Sequence, residues 1–360
     1  MRFSSVARSA RVSSENPFAA LAIGFAPFVC LSLLFAGTVS RGQEQVASQP
    51  AIRSTAELVK VDVSVLDKRG DYVGGLEQKD FRVLDNNAER PLAFFAPVDA
   101  AAQVLVIVET SPAVYLIHNQ HLAAAYALLD GLRPDDEVAL IAYDRAPRPI
   151  LAFTADKPAL VQALNRIQYT LGSGDLSLYD SISTSLDWLA PVIGKKAIVL
   201  LTTGLDSAPP ERWDALVAKL RADDAVIYPV ALGGALRRPV GKKPKQPKHT
   251  KDSDPGAAES TDATENPLSF QKADTALNAL AKMTGGQVYF PQSAGDFARI
   301  YSEIASALRH QYLLGIEPTH DGQFHRLAVE VLNQPGTPSS KPSKSAFRVF
   351  AREGYLAPVR

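Results

Sequence analysis

Cysteine is almost absent from this 360-residue sequence, in which Cys30 is the only one. One cysteine cannot form an intramolecular disulfide, so a disulfide framework and a multi-cysteine metal cluster are both excluded. An excess of charge of one sign is also lacking, because Lys+Arg and Asp+Glu each number 38. A general nucleic-acid binder needs a cationic face to neutralise phosphates. We therefore expect no nucleic-acid partner.

Three catalytic signatures are missing as well. The sequence has no Gly-x-Ser-x-Gly pattern of a serine hydrolase. It also lacks the dinucleotide-binding Gly-x-Gly-x-x-Gly and the phosphate-binding Gly-x-x-x-x-Gly-Lys-Ser/Thr patterns. His320 and His325 flank a predicted turn, where we expect them to face solvent. We therefore expect that the protein is not an enzyme and holds no cofactor.

The first 42 residues have the features of a signal peptide. Arginines near the start precede an uncharged apolar run, Phe18 to Ala36, and Ser40-Arg41-Gly42 offers small residues for cleavage before Gln43. The run is long enough that an uncleaved membrane anchor is the alternative. In both cases the protein is exported, to the periplasm or the extracellular space, and residues 43–56 form a polar, flexible spacer.

The segments on either side of the centre of the chain have the patterns of β-strands. Apolar and polar residues alternate from Glu57 to Leu66, which is the period of a half-buried strand. Strand-like segments return at His310–Ile316, Arg326–Leu332 and Ala346–Ala351. Neither half has enough strands to cover an apolar face by itself. We therefore predict that residues 57–98 and 311–360 form the two halves of one small β-sandwich.

Between residues 100 and 310, strands alternate with helices. Val104–Val108, Lys196–Leu201 and Ala225–Leu232 are continuous apolar runs, as expected of strands buried on both faces of a parallel sheet. Glu137–Tyr143 and Pro149–Phe153 are predicted to be two further strands, and Gln287–Phe290 is predicted to be an edge strand. Stretches with helical periodicity lie between the strands. The alternation predicts an α/β domain with a doubly wound, mostly parallel sheet, inserted in the β-sandwich.

The α/β region contains an insertion at residues 236–267. Its first half is rich in Lys and Arg, its second half is rich in Asp and Glu, and large apolar residues are almost absent. Such a segment cannot bury a core, so we expect a disordered loop. A charged tether for an anionic partner is the alternative.

Polar residues stand at three places where loops leave the predicted parallel strands or enter a helix. In an open parallel sheet, ligands bind beyond the carboxyl ends of the central strands. We therefore expect these residues to lie together and to bind a ligand. The candidates are Glu109, Thr110, Ser111, Asp175, Ser177, Thr203 and Asp206.

Together these three loops resemble the von Willebrand factor A family. The segments VDVSVLDKRGDYVGGLEQKDFRVLDN, LSLYDSI, MTGGQVYFPQSAGDF, RHQYLLGIEP and REGYLAP are similar to the variant of this domain that is common in acidobacteria. The resemblance covers nearly the whole mature chain, with flanks and core in the same order and spacing. It implies a doubly wound sheet, a protein-binding function of the adhesion type, and a metal-ion-dependent adhesion site.

The first loop of that metal site departs from the family pattern. The family has Asp-x-Ser-x-Ser after the first strand, and this sequence has Glu109, Ser111 and Ala113 at the three positions. The longer Glu109 displaces its carboxylate, Ser111 matches, and Ala113 supplies no oxygen. Mg²⁺ needs near-octahedral oxygen coordination at short distances, which this loop no longer supplies.

The other two loops depart as well. Leu176 stands where the family has a threonine, with Ser177 adjacent, and Thr203 replaces the aspartate of the Asp-Gly pair. We therefore expect a degenerate site that holds no divalent cation tightly, with Glu109, Ser111 and Thr203 as vestigial ligands. Weak Mg²⁺ binding, completed by a carboxylate of the partner, is one alternative. Another is that these three side chains only cap helix-start amides.

The sequence thus predicts an exported, non-catalytic module that binds a protein partner through the loops at the carboxyl ends of the sheet. Two alternatives stay open. One is cation-dependent ligand binding through the residual site, and the other is a structural role as a scaffold component of an envelope assembly.

Overall fold

A computed structural model describes residues 58–97, 100–115, 118–169, 175–233, 267–332 and 347–359. All of them belong to one compact unit, Thr55–Arg360. The predicted signal peptide or anchor, the whole spacer and all of the predicted disordered insertion except Pro267 lie outside the described residues.

Short strands occupy both ends of the described chain, and strands alternate with helices between them. The strands are β1 (Val59–Leu66), β2 (Phe81–Asp85), β3 (Ala88–Arg90), β4 (Phe94–Pro97), β5 (Ala102–Glu109), β6 (Glu137–Tyr143), β7 (Pro147–Thr154), β8 (Lys195–Thr202), β9 (Val226–Ala231), β10 (Gln311–Ile316), β11 (Phe324–Val331), β12 (Arg348–Ala351) and β13 (Gly354–Leu356). The helices are α1 (Pro112–Tyr115), α2 (His118–Gly131), α3 (Lys157–Asn165), α4 (Leu178–Leu189), α5 (Pro210–Ala222), α6 (Pro267–Thr284) and α7 (Asp296–Arg309).

The central sheet has five strands in the order β7-β6-β5-β8-β9. All neighbours are parallel except β6 and β7, which are antiparallel. Every residue of β8 and β9 is buried, because the sheet is covered on both faces. The continuous apolar runs in the sequence are the consequence of this double coverage, and the predicted mostly parallel α/β sheet is confirmed.

Helices cover the two faces of this sheet and enclose two separate cores. One core contains side chains of α2, α3 and α7, such as Leu128, Leu160 and Ile304, against one face of the sheet. The other contains side chains of α4, α5 and α6, such as Ile182 and Leu277, against the opposite face. Helices on both faces make the domain doubly wound.

The terminal strands form two four-stranded antiparallel sheets, in the orders β12-β1-β10-β4 and β13-β11-β2-β3. Each sheet combines strands from before and after the α/β domain; β1, for example, pairs with β10 from Val59↔Ile316 to Ser64↔Gln311. A third core lies between the sheets and includes Val61, Phe81 and Leu314. This is the predicted β-sandwich with the α/β domain inserted in it.

The predicted edge strand Gln287–Phe290 is reduced to one parallel bridge, Val230↔Tyr289. Tyr289 donates from its backbone N to Pro229 O at 2.8 Å, and its own O accepts from Ala231 N at 2.8 Å. Pro229 has no N–H to extend the ladder on the β9 side, so the segment lies beside β9 without becoming a full strand.

None of the helices in the part of the chain that the structure describes has both the length and the apolar character that crossing a membrane requires.

Candidate ligand-binding loop face

Three adjacent parallel strands end on polar residues that meet at one point. Glu109 is the last residue of β5, Tyr143 the last of β6 and Thr202 the last of β8. Glu109 stands beside Tyr143 in the β5–β6 register, and Val108 pairs with Leu201 on the other side, which places Glu109 next to Thr202. The side chains at the carboxyl ends of these strands therefore converge.

The Glu109 carboxylate lies at the centre of this point and is fully buried, with 0% of the residue exposed. Its Oε2 accepts from the Thr203 backbone N at 2.6 Å and from Thr202 Oγ1 at 3.0 Å. Thr203 Oγ1 lies 2.9 Å from Oε2 and 3.1 Å from Oε1, and the Tyr143 hydroxyl lies 3.1 Å from Oε2. Hydroxyl and amide donors of the chain itself therefore surround the carboxylate.

The same donors are themselves held in place. The Tyr143 hydroxyl and Thr202 Oγ1 are 2.6 Å apart, and Thr202 Oγ1 also accepts from Gly204 N at 2.8 Å. Burial, followed by the charge of Glu109, raises the pKa of Tyr143 well above its ordinary value, so its hydroxyl keeps its proton. Buried polar groups that are connected in this way specify one arrangement of the strand ends.

The extra methylene of Glu109 lets its carboxylate reach the backbone N–H of Thr203, at the start of the loop after β8. Thr203 stands where the family has an aspartate, and in this chain it acts as a donor to Glu109 with only 4% of the residue exposed. At this point the Glu109 carboxylate therefore meets an amide donor and a hydroxyl donor of Thr203.

The residues present do not fit the magnesium site of the family. Ala113 has no side-chain oxygen, and a cation at Glu109 would have to displace the hydrogen bonds of Thr202 and Thr203. No cluster of three or more His, Cys, Asp or Glu side chains placed to hold a metal ion occurs within the described ranges. Mg²⁺ prefers rigid oxygen ligands in octahedral geometry.

Asp206 has a different task, which is to cap the amino end of α4. Its Oδ2 accepts from the Tyr179 backbone N at 2.9 Å, and its Oδ1 accepts from Ala208 N at 2.6 Å. Burial raises the pKa of the Asp206 carboxyl, and these backbone N–H groups oppose the rise. Glu109 and Thr203 do not cap a helix start, because their partners lie at the strand ends and in the loop after β8, and Asp206 supplies the cap of α4.

The remaining predicted residues lie around this centre. Thr110 is buried, and its Oγ1 donates to Tyr143 O at 2.9 Å. Ser177 N donates to Asp144 O at 2.8 Å, and its side chain makes no cap hydrogen bond to α4. Asp175 is exposed.

The loop before α4 and the loop after β8 are joined by backbone and side-chain bonds. Leu176 O accepts from Ser207 N at 2.8 Å, and Leu176 N donates to Ser207 Oγ at 3.1 Å. Gly204 has φ of +77°, and a Cβ there would come within 2.9 Å of Leu277 Cδ1, so glycine is needed at this turn. The described parts of the three predicted loops, residues 109–115, 175–177 and 203–209, therefore form one surface, which we call the loop face.

Three residues that stabilise this centre were not identified from the sequence: Tyr143, Thr202 and Asp144. Tyr143 ends a predicted strand, and Glu109 and Thr202 each directly follow one, so the position at the end of a strand was the available signal. Asp144 had no comparable signal, because its role depends on a backbone carbonyl meeting Ser177 N.

No protein-family model matches the chain, and no curated protein matches it. Among solved structures, the chain is similar to an aerotolerance-related membrane protein from Bacteroides fragilis, with 15% identity over 57% of this chain and 100% of that one and a TM-score of 0.40. It is similar to BatB from Bacteroides thetaiotaomicron, with 16% identity, coverage of 58% and 100%, and a TM-score of 0.39. A von Willebrand factor type A protein from Catenulispora acidiphila shares 11% identity over 76% and 72% of the two chains, with a TM-score of 0.42.

The strand order, the single antiparallel edge strand and the helices on both faces make residues 102–309 a doubly wound α/β domain. This is the doubly wound arrangement that the resemblance to the von Willebrand factor A family implies.

Proposed function

We propose that the chain is an exported, non-catalytic module of the adhesion type that binds a protein partner through the loop face and needs no resident cation. The observation that carries this proposal is the buried Glu109 carboxylate, whose oxygens already accept hydrogen bonds from Thr202 and Thr203. A buried carboxylate with these donors needs no metal to offset its desolvation. The arginine-rich start and apolar run of the sequence support export.

The rim of the loop face supports a protein partner. Arg148 donates to Asp144 Oδ1 at 2.7 Å, and Arg212 lies 3.3 Å from Asp180 Oδ1. Both arginine side chains are about half exposed, at 44% and 58%. Arginine is enriched in protein–protein interfaces, where its guanidinium keeps bonding as water is excluded. A rim of mixed charge around a rigid centre suits a protein surface better than a small ligand, because the centre is closed.

A photo-cross-linker tests the proposal directly. With the cross-linking residue in place of Asp175, on the exposed part of the loop face, we expect a discrete protein adduct in the intact envelope of the native host. The adduct should persist at the same yield in EDTA, because no cation takes part. Gel shift and mass spectrometry of the adduct are the readouts.

Asp135 provides the matched control. It is also an exposed aspartate, but it precedes β6 and so lies at the amino end of the sheet. Adducts from position 135 but not from position 175 would show that the loop face is not the binding surface. Loss of the adduct from position 175 in EDTA would show that binding depends on a cation.

One observation favours cation-dependent binding as a second candidate: Ser111 Oγ is buried without a hydrogen-bond partner, as a vacated ligand would be. We expect calorimetric titration with Mg²⁺ or Mn²⁺ to give no saturable heat, because the donor set is too small. A micromolar isotherm that disappears in both Glu109→Ala and Ser111→Ala would establish the second candidate. Ser111→Ala removes only one unpaired hydroxyl, so it keeps the comparison informative if Glu109→Ala is unstable.

A further inference from the structure

A cleft of about 720 Å³ opens at the end of the molecule opposite the loop face. One wall comes from the amino ends of the parallel strands, with Lys196 in β8 and Asp223 and Asp224 just before β9. The other wall comes from the β-sandwich, with residues 58–60 at the start of β1 and residues 352–358 around β13. The cleft therefore lies where the sandwich meets the α/β domain, which is a common position for ligand sites.

The charges that line the cleft do not balance. Four basic side chains face two acidic ones, a net charge of +2; the basic ones are Lys60, Lys196, Arg221 and Arg352, and the acidic ones are Asp223 and Asp224. Lys196 is buried and forms ion pairs with both aspartates, at 3.8 Å from Asp223 and in closer contact with Asp224. Lys196 offsets one of these two negative charges, so the other three basic side chains face one remaining negative charge and the lining keeps its net charge of +2.

Arg352 is fixed at the wall of the cleft. Its Nε donates to Gly354 O at 2.8 Å, and one terminal nitrogen donates to Arg221 O at 3.1 Å. Burial lowers the pKa of this guanidinium, and Asp224, Asp223 and Asp62 oppose that change. A half-buried guanidinium in a preformed position gains more from an anion than a flexible surface side chain does.

The excess charge lies beside apolar surface. Leu58, Val59, Ala222, Pro318 and Leu356 also line the cleft, and Leu356 is 47% exposed. The Arg221 guanidinium packs 4.3 Å from the centroid of the Phe324 ring, and Phe324 is paired with Leu356 between β11 and β13. A ligand that fills the cleft would therefore meet cations at one part of its surface and apolar side chains at another.

We propose that this cleft binds a small organic anion. Its charged head, a carboxylate or a phosphate, lies among Lys60, Arg221 and Arg352, and its apolar body packs against Leu356 and its neighbours. The volume lies within the range of ligand pockets, about 300–1,000 Å³. This site is separate from the loop face, so it does not depend on the protein-binding proposal.

The fluorescent anion 8-anilinonaphthalene-1-sulfonate, which carries an anionic head on an apolar body, is a suitable probe for the full mature chain. We expect saturable binding of one dye per chain. Lys60→Glu should weaken it about tenfold, because it reverses an exposed charge at the mouth of the cleft. Lys68→Glu, the same change in the exposed turn after β1, should leave the affinity within about twofold. Circular dichroism should show the same fold in both variants.

Arg221→Gln, which removes charge without reversing it, should weaken dye binding less than Lys60→Glu. Displacement of the dye by octanoate would identify a carboxylate with an apolar body, and displacement by inorganic phosphate would identify a phosphate head. Displacement by neither anion would overturn the proposal. So would equal dye affinity in Lys60→Glu and Lys68→Glu, or the absence of saturable binding.

Discussion

Replacement of Glu109 by alanine is expected to lower the free energy of unfolding by about 3–5 kcal/mol, a value typical of removing one partner from a buried charged network. The change leaves the Thr203 N–H and the hydroxyls of Thr202 and Thr203 without their acceptor in a fully buried position. It also opens a cavity at the ends of three strands. Chemical denaturation followed by circular dichroism measures the loss.

Two variants serve as controls for this result. Glu109→Gln keeps one acceptor oxygen but points an amide N–H₂ at the donors, so we expect a smaller loss of about 1–3 kcal/mol. Asp175→Ala, an exposed change on the same face, should stay within about 0.5 kcal/mol. A loss below about 1 kcal/mol in Glu109→Ala would mean that the carboxylate is not an internal acceptor, and the case for a cation-independent loop face would fail with it.

The second large effect concerns His325 in the β-sandwich, where stability is expected to depend on pH. His325 Nδ1 lies 2.6 Å from Asp85 Oδ1, and Nε2 lies 3.0 Å from Asp321 Oδ2. Burial alone would lower the pKa of His325, but hydrogen bonds and charge from the two aspartates outweigh it and raise that pKa above the ordinary 6.5. Arg90 Nε also lies 3.3 Å from Asp85 Oδ2.

The direction of this pH dependence follows from the linkage between proton binding and folding. The folded state holds the proton on His325 more tightly than the unfolded state, so the stabilisation is complete below the unfolded pKa near 6.5. It is lost as the pH rises through the higher folded pKa. We expect His325→Gln to cost about 1–3 kcal/mol at pH 5.5, and clearly less at pH 8.5. Urea denaturation at both pH values measures the difference.

His320→Gln is the matched control for the pH experiment, because His320 is exposed and lies at the same end of the sandwich. It should leave the pH dependence of the wild type unchanged. If the free energy of unfolding lost in His325→Gln were the same at pH 5.5 and at pH 8.5, the two aspartates would not hold a charged imidazole.

The prediction that His325 faces solvent is wrong, since only 7% of the residue is exposed. The sequence just before His325 predicts a polar turn, and the chain does turn there. The burial comes from the pairing of β11 with β2, which aligns Leu327 with Asp85 across a separation of hundreds of residues. A single sequence carries no local sign of that register, because the register is set by which strands share a sheet.

At the loop face, some features could be predicted from the sequence and others could not. The convergence of Glu109 and Thr203 was predictable, because parallel strands with continuous apolar runs must end at one edge of the sheet. The departure from the family's metal ligands was readable from residue types alone. The contacts of the Glu109 carboxylate were not predictable. A longer side chain can either reach a cation or turn inward to donors of the chain itself, and only the distance from Glu109 Oε2 to Thr203 N shows which of the two occurs.

The sequence by itself determined the kinds of element, their order and the need for a sandwich that joins the two ends of the chain. These follow from periodicity and from the apolar area each element must bury. The tertiary structure decided which polar groups meet: Glu109 with Tyr143, Lys196 with Asp224, and His325 with Asp85. Apolar burial needs only a pattern, but a hydrogen bond or an ion pair needs two atoms within about 3 Å, and strand register and loop path set that distance.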